Sequence, residues 1–436
     1  MSKIFGTSGV RSIYPHEKGP DFYNWLGKSI GTWIREKGEK SMIIGWDTRP
    51  SAEIVMNAFS AGLMESGIST IKAGIVPTPT VCFTAKRLDL YSAMVTASHN
   101  PPEYIGVKII SPDGRVLTGE EIDLPEPKKV SWSELGREEW QRDCAEHHIK
   151  CVLKYFRGKK RRKIVVDTRY GTGSVTTPHL LRRAGHLVVT LNSTLGGRLS
   201  PFKIEGKITN LIPTIKADLG IVHDIDADRV LFFDENGKYI EPVRILATLI
   251  KRLKIKTIVV VPIDTPTIID KVAKSCDVKV IRTRVGDSYV SKMIHEFKDS
   301  CPNIIGGEGS GTYVWPDLHF GTETLRTIVE LLNIMDEEES TLGALVSEFE
   351  PPKVESQKVK CPDEKKEKVM NIVKGKIREI FEGEINTIDG IYISKEQKWL
   401  LIRPSGTEPI IRITSENAGE LLEAVRKLVE NAVEKS

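Results

Sequence analysis

The sequence predicts a multidomain α/β protein: three related mixed-sheet α/β domains followed by a small C-terminal α+β domain. Three observations predict it. Apolar runs of strand length alternate with segments of helical spacing along most of the chain. Three of those runs empty into loops of unusual polar or glycine content, the end of a strand where ligands of open α/β sheets bind. The pattern then changes after the Pro351-Pro352 pair, where a charged stretch precedes a shorter, β-rich block. At ~150 residues per domain, 436 residues suit about three domains, or four if one is small.

The first domain is expected over 1–145. A short apolar run at 42–46, a helical stretch at 51–66 and a strand at 69–73 open a βαβ pattern. Residues 91–96 form an apolar strand that runs straight into Ala97-Ser98-His99-Asn100-Pro101, and 107–110 forms another. Residues 125–140 hold two prolines and little apolar content, and read as a break. The second domain, 146–238, is expected from a strand at Lys163–Asp167, a helix at 177–184, and strands at Leu187–Leu191 and 218–223, the last ending at Asp224. The third, 239–350, carries periodic runs at 245–253, 257–262, 267–274 and 278–283, and a short run at 304–305 that leads into a glycine-rich loop. The last, 351–436, begins with a linker through 362–368. It continues with a helix at 369–381, strands near 391–394 and 399–402, a loop at 403–409, a strand at 410–414 and a helix at 421–433.

Composition narrows the function classes. Lys and Arg number 63 against 59 Asp and Glu, a net charge of +4, too balanced for a nucleic-acid binder. The six cysteines are scattered with no CxxC pair, so neither a disulfide framework nor a zinc site is expected, and a reducing cytoplasm is the expected setting. The longest apolar runs fall far short of the ~20 residues of a membrane span, and the first residues have no signal-peptide core.

Four loops carry chemistry. In Thr96-Ala97-Ser98-His99-Asn100-Pro101-Pro102, a serine sits between a strand and a proline pair, well placed as a nucleophile, with His99 beside it; a capping serine in an ordinary turn is the plain alternative. Asp224-Ile225-Asp226-Ala227-Asp228-Arg229 places three carboxylates at i, i+2 and i+4, on one side of an extended chain, where they suit a hard cation such as Mg²⁺. An EF-hand is rejected, because Arg229 stands where that loop needs glycine and the flanks read as strands. Gly306-Gly307-Glu308-Gly309-Ser310-Gly311-Thr312 is neither a P-loop nor a dinucleotide fingerprint, and offers Glu308 and Ser310 as polar fingers for sugar hydroxyls, or is simply a tight turn. Arg403-Pro404-Ser405-Gly406-Thr407-Glu408-Pro409 combines arginine, hydroxyls and backbone donors in a phosphate cradle, or is a proline-flanked hairpin. Gly171-Thr172-Gly173 lacks the rest of a nucleotide fingerprint, and His147-His148 has no metal-ligand context.

Together, in this order, these loops resemble the α-D-phosphohexomutase family, and Phe5-Gly6-Thr7-Ser8-Gly9-Val10-Arg11 resembles its opening motif. The resemblance spans essentially the whole chain and implies four domains around a central cleft. It implies an isomerase that interconverts hexose 6-phosphate and 1-phosphate through a phosphoserine and a hexose 1,6-bisphosphate, which also serves as activator. Ser98 would be the phosphoserine, and Asp224, Asp226 and Asp228 would hold Mg²⁺ together with an oxygen of the Ser98 phosphate. Arg11 and Lys108 match positions proposed to assist proton transfer. Arg229 would contact the active-site phosphate; Glu308 and Ser310, with Thr312 closing the loop, would meet the sugar; and Arg403, Ser405, Gly406 and Thr407 would grip the phosphate that is not reacting. Ser12, Ile105, Ile225 and Thr312 depart from the family pattern. The sugar is expected to be glucosamine, mannose or glucose phosphate, with a lean to glucosamine. A phosphosugar-binding regulator without turnover and a sugar-phosphate phosphatase are the alternatives. No nucleic-acid or membrane partner is expected, and the assembly is a monomer or homodimer.

Overall fold

The computed structural model describes all residues except 1–3, 7, 198, 200–205, 254–256, 300, 302 and 406–408. It contains four sheets. The first is built from β1 (Val10–Ile13), β2 (Ser41–Trp46), β3 (Ser69–Ile75), β4 (Ser92–Val95), β5 (Tyr104–Ile110) and β6 (Glu138–Trp140), in the order β1-β5-β4-β2-β3-β6. Its centre is parallel, and β5 runs antiparallel to both β4 and β1. On one face lie α1 (Pro20–Glu36) and α2 (Ala52–Glu65). These two helices cross closely because both contact faces carry glycine. A Cβ at Gly27 would stand 2.2 Å from the Phe59 carbonyl, and one at Gly62 would stand 2.1 Å from that of Asn24.

The second sheet orders β7 (Lys163–Asp167), β8 (Leu187–Leu191), β9 (Leu219–His223), β10 (Val230–Phe233) and β11 (Tyr239–Ile240) as β11-β10-β9-β7-β8. The third orders β12 (Ile258–Pro262), β13 (Lys279–Thr283), β14 (Ile304–Gly307) and β15 (Tyr313–Val314) as β13-β12-β14-β15. Their central strands are β-branched and buried on both faces, the signature of parallel strands under helices. One continuous core joins these two sheets: Ile164, Val166 and Phe232 pack with Val259, Val261, Leu249 and Leu332.

The fourth sheet is wholly antiparallel, β16 (Val354–Lys360), β17 (Glu384–Asn386), β18 (Ile391–Lys395), β19 (Lys398–Pro404) and β20 (Ile410–Glu416) in the order β16-β20-β19-β18-β17. Residues of two helices, 366–376 and 419–434, pack on one face through Val369, Val373, Val425 and Val429. On the other face Trp399 and Leu401 meet Ile263 of the third block. Glu416 adds a polar tie: it accepts from Trp399 Nε1 at 2.7 Å and from the Thr267 amide at 2.8 Å.

Several elements differ from expectation. Residues 354–360 form β16, not linker: the strand Val-Glu-Ser-Gln-Lys-Val-Lys lies at the sheet edge, almost wholly exposed, and is held by backbone pairing to β20 rather than by an apolar face. The C-terminal block's first helix starts at Lys366, inside the charged stretch, and ends at Lys376, with a 3₁₀ turn at Ile377–Glu379. The proline-bearing segment 125–140 supplies edge strand β6, parallel to β3. Helices Pro20–Glu36, Asp287–Glu296 and Thr324–Glu337 were not foreseen. Among the described residues no helix is long and apolar enough to cross a membrane.

Candidate active site

Ser98 follows the fully buried strand β4. It adopts a left-handed backbone, φ +51°, a conformation that costs an L-residue about 1 kcal/mol or more. Three groups hold it there. The Ser98 amide donates to Thr96 Oγ1 at 2.9 Å, and Thr96 Oγ1 donates to Asp47 Oδ2 at 2.7 Å. The buried Arg49 gathers the loop's carbonyls: Nη2 donates to Ser98 O at 2.7 Å and Asn100 O at 2.8 Å, and Nη1 to Pro101 O at 2.5 Å and Tyr104 O at 3.0 Å. Its Nε pairs with Asp47 at 3.1 Å.

The Asp224–Asp228 segment is a turn between β9 and β10 rather than extended chain. Ala227 is left-handed at φ +52°, and its amide folds back to Asp224 O at 3.3 Å. Six residues, 224–229, must reverse direction between antiparallel strands, so the carboxylates converge by turning, not by alternation. Neighbouring segments fix the turn. The Thr78 amide and hydroxyl donate to Asp226 O (2.9 Å) and Oδ2 (2.6 Å), and the Thr172 amide donates to Ile225 O at 2.8 Å. Gly171 lies so close to Ile225 that a Cβ would come within 2.4 Å of its carbonyl oxygen. The Gly-Thr-Gly segment therefore braces the aspartate turn.

The two loops meet. Ser98 Oγ donates to Asp224 Oδ2 at 2.8 Å, with Asp228 Oδ1 at 3.4 Å. Lys108 Nζ on β5 donates to Asp226 Oδ2 at 2.8 Å and Asp228 Oδ2 at 2.6 Å. Arg229 Nε lies 3.9 Å from Asp224. Burial and the neighbouring Asp228 and Asp226 charges push the Asp224 carboxyl well up. Burial opposes the Asp228 charge too, but Lys108 and Arg229 hold that carboxyl below the usual range. His99 Nδ1 lies 3.3 Å from Ser98 Oγ; burial, with Arg229 and Arg11 beside it, drives the imidazole down to about 3, so it is neutral at working pH. Arg11, on β1, reaches the same loop by donating from Nη1 to Asn100 Oδ1 at 2.6 Å.

The three aspartates offer oxygens within 4.8 Å of one another, and Asp226 Oδ1 is buried without a hydrogen bond. An all-oxygen set with an orphaned buried carboxylate oxygen beside a hydroxyl fits Mg²⁺. A second group, His148, His319 and Glu323, does not need a metal. His319 Nδ1 accepts from the Gly321 amide at 3.1 Å, so Nε2 carries the proton and donates to Glu323 Oε2 at 2.9 Å. His148 Nε2 lies 2.9 Å from the same oxygen, and its Nδ1 lies 3.0 Å from Thr80 Oγ1. His148, set aside on sequence, is thus buried in a polar junction joining residues of the first three blocks.

The glycine-rich loop at 306–312 closes on itself. Glu308 Oε1 accepts from the Gly286 amide and Oε2 from Ser310 Oγ, both at 2.9 Å, while Thr312 Oγ1 lies 3.3 Å from Oε2. Burial and the nearby Asp287 carboxylate raise the Glu308 carboxyl to about 7. The loop is joined to the aspartate turn by the Val230 amide, which donates to Gly311 O at 2.9 Å. Ser12 and Ile105 face the core instead, both touching Tyr23 OH.

In the last block Arg403 Nη1 donates to Asp389 Oδ2 at 3.2 Å, and the Ser405 amide donates to Ile410 O at 2.9 Å. Lys366 Nζ donates to Ser405 O at 2.6 Å. Gly406 and Thr407 lie outside the described residues. Asp389 also accepts from the Val285 amide at 2.9 Å, so residues 285–286 link the Arg403 loop to Glu308. Sequence reading missed Asp47, Arg49, Thr78, Asp287, Lys366 and Asp389. Asp47 and Arg49 had a signal, since they leave a buried strand just as Ser98 does; the others depend on tertiary contact.

The sequence matches four consecutive domain descriptions of one family. Phosphoglucomutase/phosphomannomutase alpha/beta/alpha domain I covers 2–124, domain II 145–237, domain III 241–352 and the C-terminal domain 357–433. The chain belongs to the phosphoglucomutase/phosphomannomutase family. A "Probable phosphoglucosamine mutase" of Methanococcoides burtonii is 33% identical, over 100% of this chain and 99% of that protein. One of Pyrococcus abyssi with the same description is 34% identical over 100% of both. A crystal structure of a phosphoglucomutase/phosphomannomutase family protein from Burkholderia thailandensis has the same fold, with TM-score 0.84 and 20% identity over 100% of this chain and 98% of that one. As a member of this family the protein is a phosphosugar mutase, an enzyme of the isomerase class.

Proposed function

We propose that the protein interconverts hexose 6-phosphate and 1-phosphate through phospho-Ser98 and a hexose 1,6-bisphosphate, with glucosamine phosphate as its preferred sugar. The observation that carries this is the Ser98 hydroxyl on Asp224, inside a pocket of three carboxylates and the cations Lys108 and Arg229. The names of the archaeal relatives support the choice of sugar.

Asp224, Asp226 and Asp228, with an oxygen on Ser98, would hold Mg²⁺, which when bound neutralises charge on the phosphoryl group in transit. The protein's own groups do the positioning. Arg49 and Thr96 hold Ser98 in its strained, outward conformation, so no reorganisation precedes transfer. Arg229 is placed to meet the reacting phosphate. Lys108 keeps its charge, since Asp226 and Asp228 outweigh the burial that opposes it, and supplies fixed positive charge beside Ser98. Arg11, anchored on Asn100, stands at the same loop to assist proton movement at the sugar hydroxyl. Glu308 and Ser310 take sugar hydroxyls. Arg403 and Ser405, with Gly406 and Thr407, grip the distal phosphate, and the bisphosphate turns over between the two transfers. A reducing cytoplasm suits the six free thiols.

Phosphorus NMR tests this. The protein is given Mg²⁺, a trace of glucose 1,6-bisphosphate, and glucosamine, mannose and glucose 1-phosphates together. The glucosamine signal should move first to its 6-phosphate position, and Ser98→Ala should move none. Full turnover by Ser98→Ala would end the phosphoserine reading, and release of inorganic phosphate ahead of isomerisation would mark a phosphatase.

A further inference from the structure

The sugar loop faces a cavity of about 400 Å³ between the second and third sheets and the C-terminal block. Glu308 and Ser310 line it together with Glu241, Asp264 and, from the last block, Thr414. Among the described residues no lysine, arginine or histidine lines it. A pocket for a neutral hexose needs hydroxyl partners but no excess of negative charge. This one surrounds a sugar-binding glutamate with further carboxylates.

Two carboxylates act on Glu308, Asp264 in the cavity's lining and Asp287 outside that lining. Asp287, one residue past the Gly286 amide that holds Glu308 Oε1, is pinned through Oδ1 by Ser8 Oγ at 2.6 Å. Its charge acts on Arg11, Lys108 and Arg229, which places it on the Ser98 side. Asp264, in the turn after β12, lies on the opposite side, where its charge acts on Arg403. Among the described residues no side chain donates a hydrogen bond to Asp264 or to Oδ2 of Asp287. Asp287 is held in place by Ser8, and both carboxylates have acceptor capacity left over.

The geometry of a hexose gives this pair a use. C3 and C4 lie midway between the two phosphate-bearing ends. A half-turn of the bisphosphate exchanges them, so Glu308 meets a hydroxyl in either orientation. C2 is not so placed. It sits beside C1, and a half-turn carries its substituent from the reacting end to the distal end. An ammonium group at C2 therefore needs a partner on each side of Glu308.

We infer that Asp264 and Asp287 read the C2 ammonium of a 2-amino sugar phosphate, Asp287 when C1 lies toward Ser98 and Asp264 when C1 lies toward Arg403. This rests on the mutase reading given above and adds to it the residues that select the substrate class. Burial with the Asp287 and Asp264 charges holds Glu308 at about 7, and burial with the Asp389 charge pushes Asp264 up; a bound cation relieves both and a hydroxyl does not.

The test compares kcat/KM for glucosamine 6-phosphate and glucose 6-phosphate in the full-length protein and in its Asp264→Asn and Asp287→Asn variants. Each variant should lose about tenfold of its preference for the amino sugar, while its rate on glucose 6-phosphate stays within about threefold of the parent. Calorimetry on the Ser98→Ala background should show the same selective loss in binding. Asp264, which no side chain holds, carries the test if the Ser8-bonded Asp287 proves necessary for folding. Equal losses for both sugars, or an unchanged ratio, overturn the inference. A parent enzyme that turns over glucose 6-phosphate with no preference for the amino sugar overturns it while leaving the mutase reading intact. A parent that turns over neither sugar overturns the mutase reading itself.

Discussion

The Ser98 hydroxyl donates to Asp224 Oδ2 at 2.8 Å across 126 positions of sequence, from the first sheet to the second. Neither block holds this pair alone. The proposed nucleophile and the carboxylates that would carry its cation come together only when the two sheets dock.

Asp224→Asn should therefore cost activity through cation binding as much as through Ser98. The variant keeps the size of the side chain and removes one of three charges. Turnover should fall by about a hundredfold or more, and the Mg²⁺ needed for half-activity should rise. A Mg²⁺ titration of the rate checks both; an unchanged Mg²⁺ requirement would remove Asp224 from the ligand set.

Arg49 makes a sharper case, because its side-chain hydrogen bonds go to Asp47 and to the carbonyls of the Ser98 loop. Arg49→Ala leaves Asp47 buried and unpaired, which should destabilise the fold by about 3–5 kcal/mol, read by chemical denaturation. Arg49→Lys keeps the charge but not the fork that reaches four carbonyls. It should fold and lose kcat with little change in KM, since the Ser98 loop relaxes from its left-handed conformation. An Arg49→Lys enzyme with parental kcat would show that the loop holds itself.

Two glutamates should act on stability with opposite sign. The Glu308 carboxyl is raised from 4.5 to about 7 in the folded chain. Its contribution is present below pH 4.5 and lost as pH rises to about 7, so Glu308→Gln should be relatively more stable at pH 8 than at pH 4. Glu323 is the reverse: burial opposes its charge, but His148 and His319 hold the carboxyl below 4.5. Its contribution is present above 4.5 and lost as pH falls below it, so Glu323→Gln should lose most at neutral pH and least in acid. Melting temperatures across pH 3–8, a span of about five units around these shifts, decide both.

Gly171→Ala tests the brace behind the aspartate turn. The added methyl would press on the Ile225 carbonyl at 2.4 Å, between two proposed cation ligands. The rate at saturating Mg²⁺ should recover most of the parental value, while the Mg²⁺ requirement rises several-fold, on the order of 1 kcal/mol of displaced ligand geometry. A loss that no Mg²⁺ concentration repairs would mean that the turn has collapsed.

Much of this was legible in the sequence, and the rest was not for physical reasons. The parallel strands announce themselves because both faces are buried: Ile258–Pro262 is almost pure β-branched chain. Ser98, the aspartates and Glu308 announce themselves because polar loops follow such strands. Strand Val354–Lys360 gives no such sign, since its stability is in the backbone pairing of an exposed edge. Helix Pro20–Glu36 was hidden by Gly27 and Gly31, which look like breakers but allow close packing against the next helix. The aspartates were expected on extended chain and are gathered by a turn, because a left-handed Ala227 has no signature in a residue that normally avoids that conformation. Asp287 and Asp389 acquire meaning only through residues more than a hundred positions away or in another block.

Residues 284–287 tie the third block to both the first and the last. Arg284 pairs with Glu120, Val285 with Asp389, Gly286 with Glu308 and Asp287 with Ser8. The four contacts sit on consecutive residues, so displacing one of them strains the others. In the proposed mechanism the bisphosphate must turn without leaving, and the final product must leave without turning. In that mechanism both fates would depend on one small loop, and the enzyme's processivity would become a property of four consecutive hydrogen-bonded residues that lie outside the transfer of the phosphoryl group.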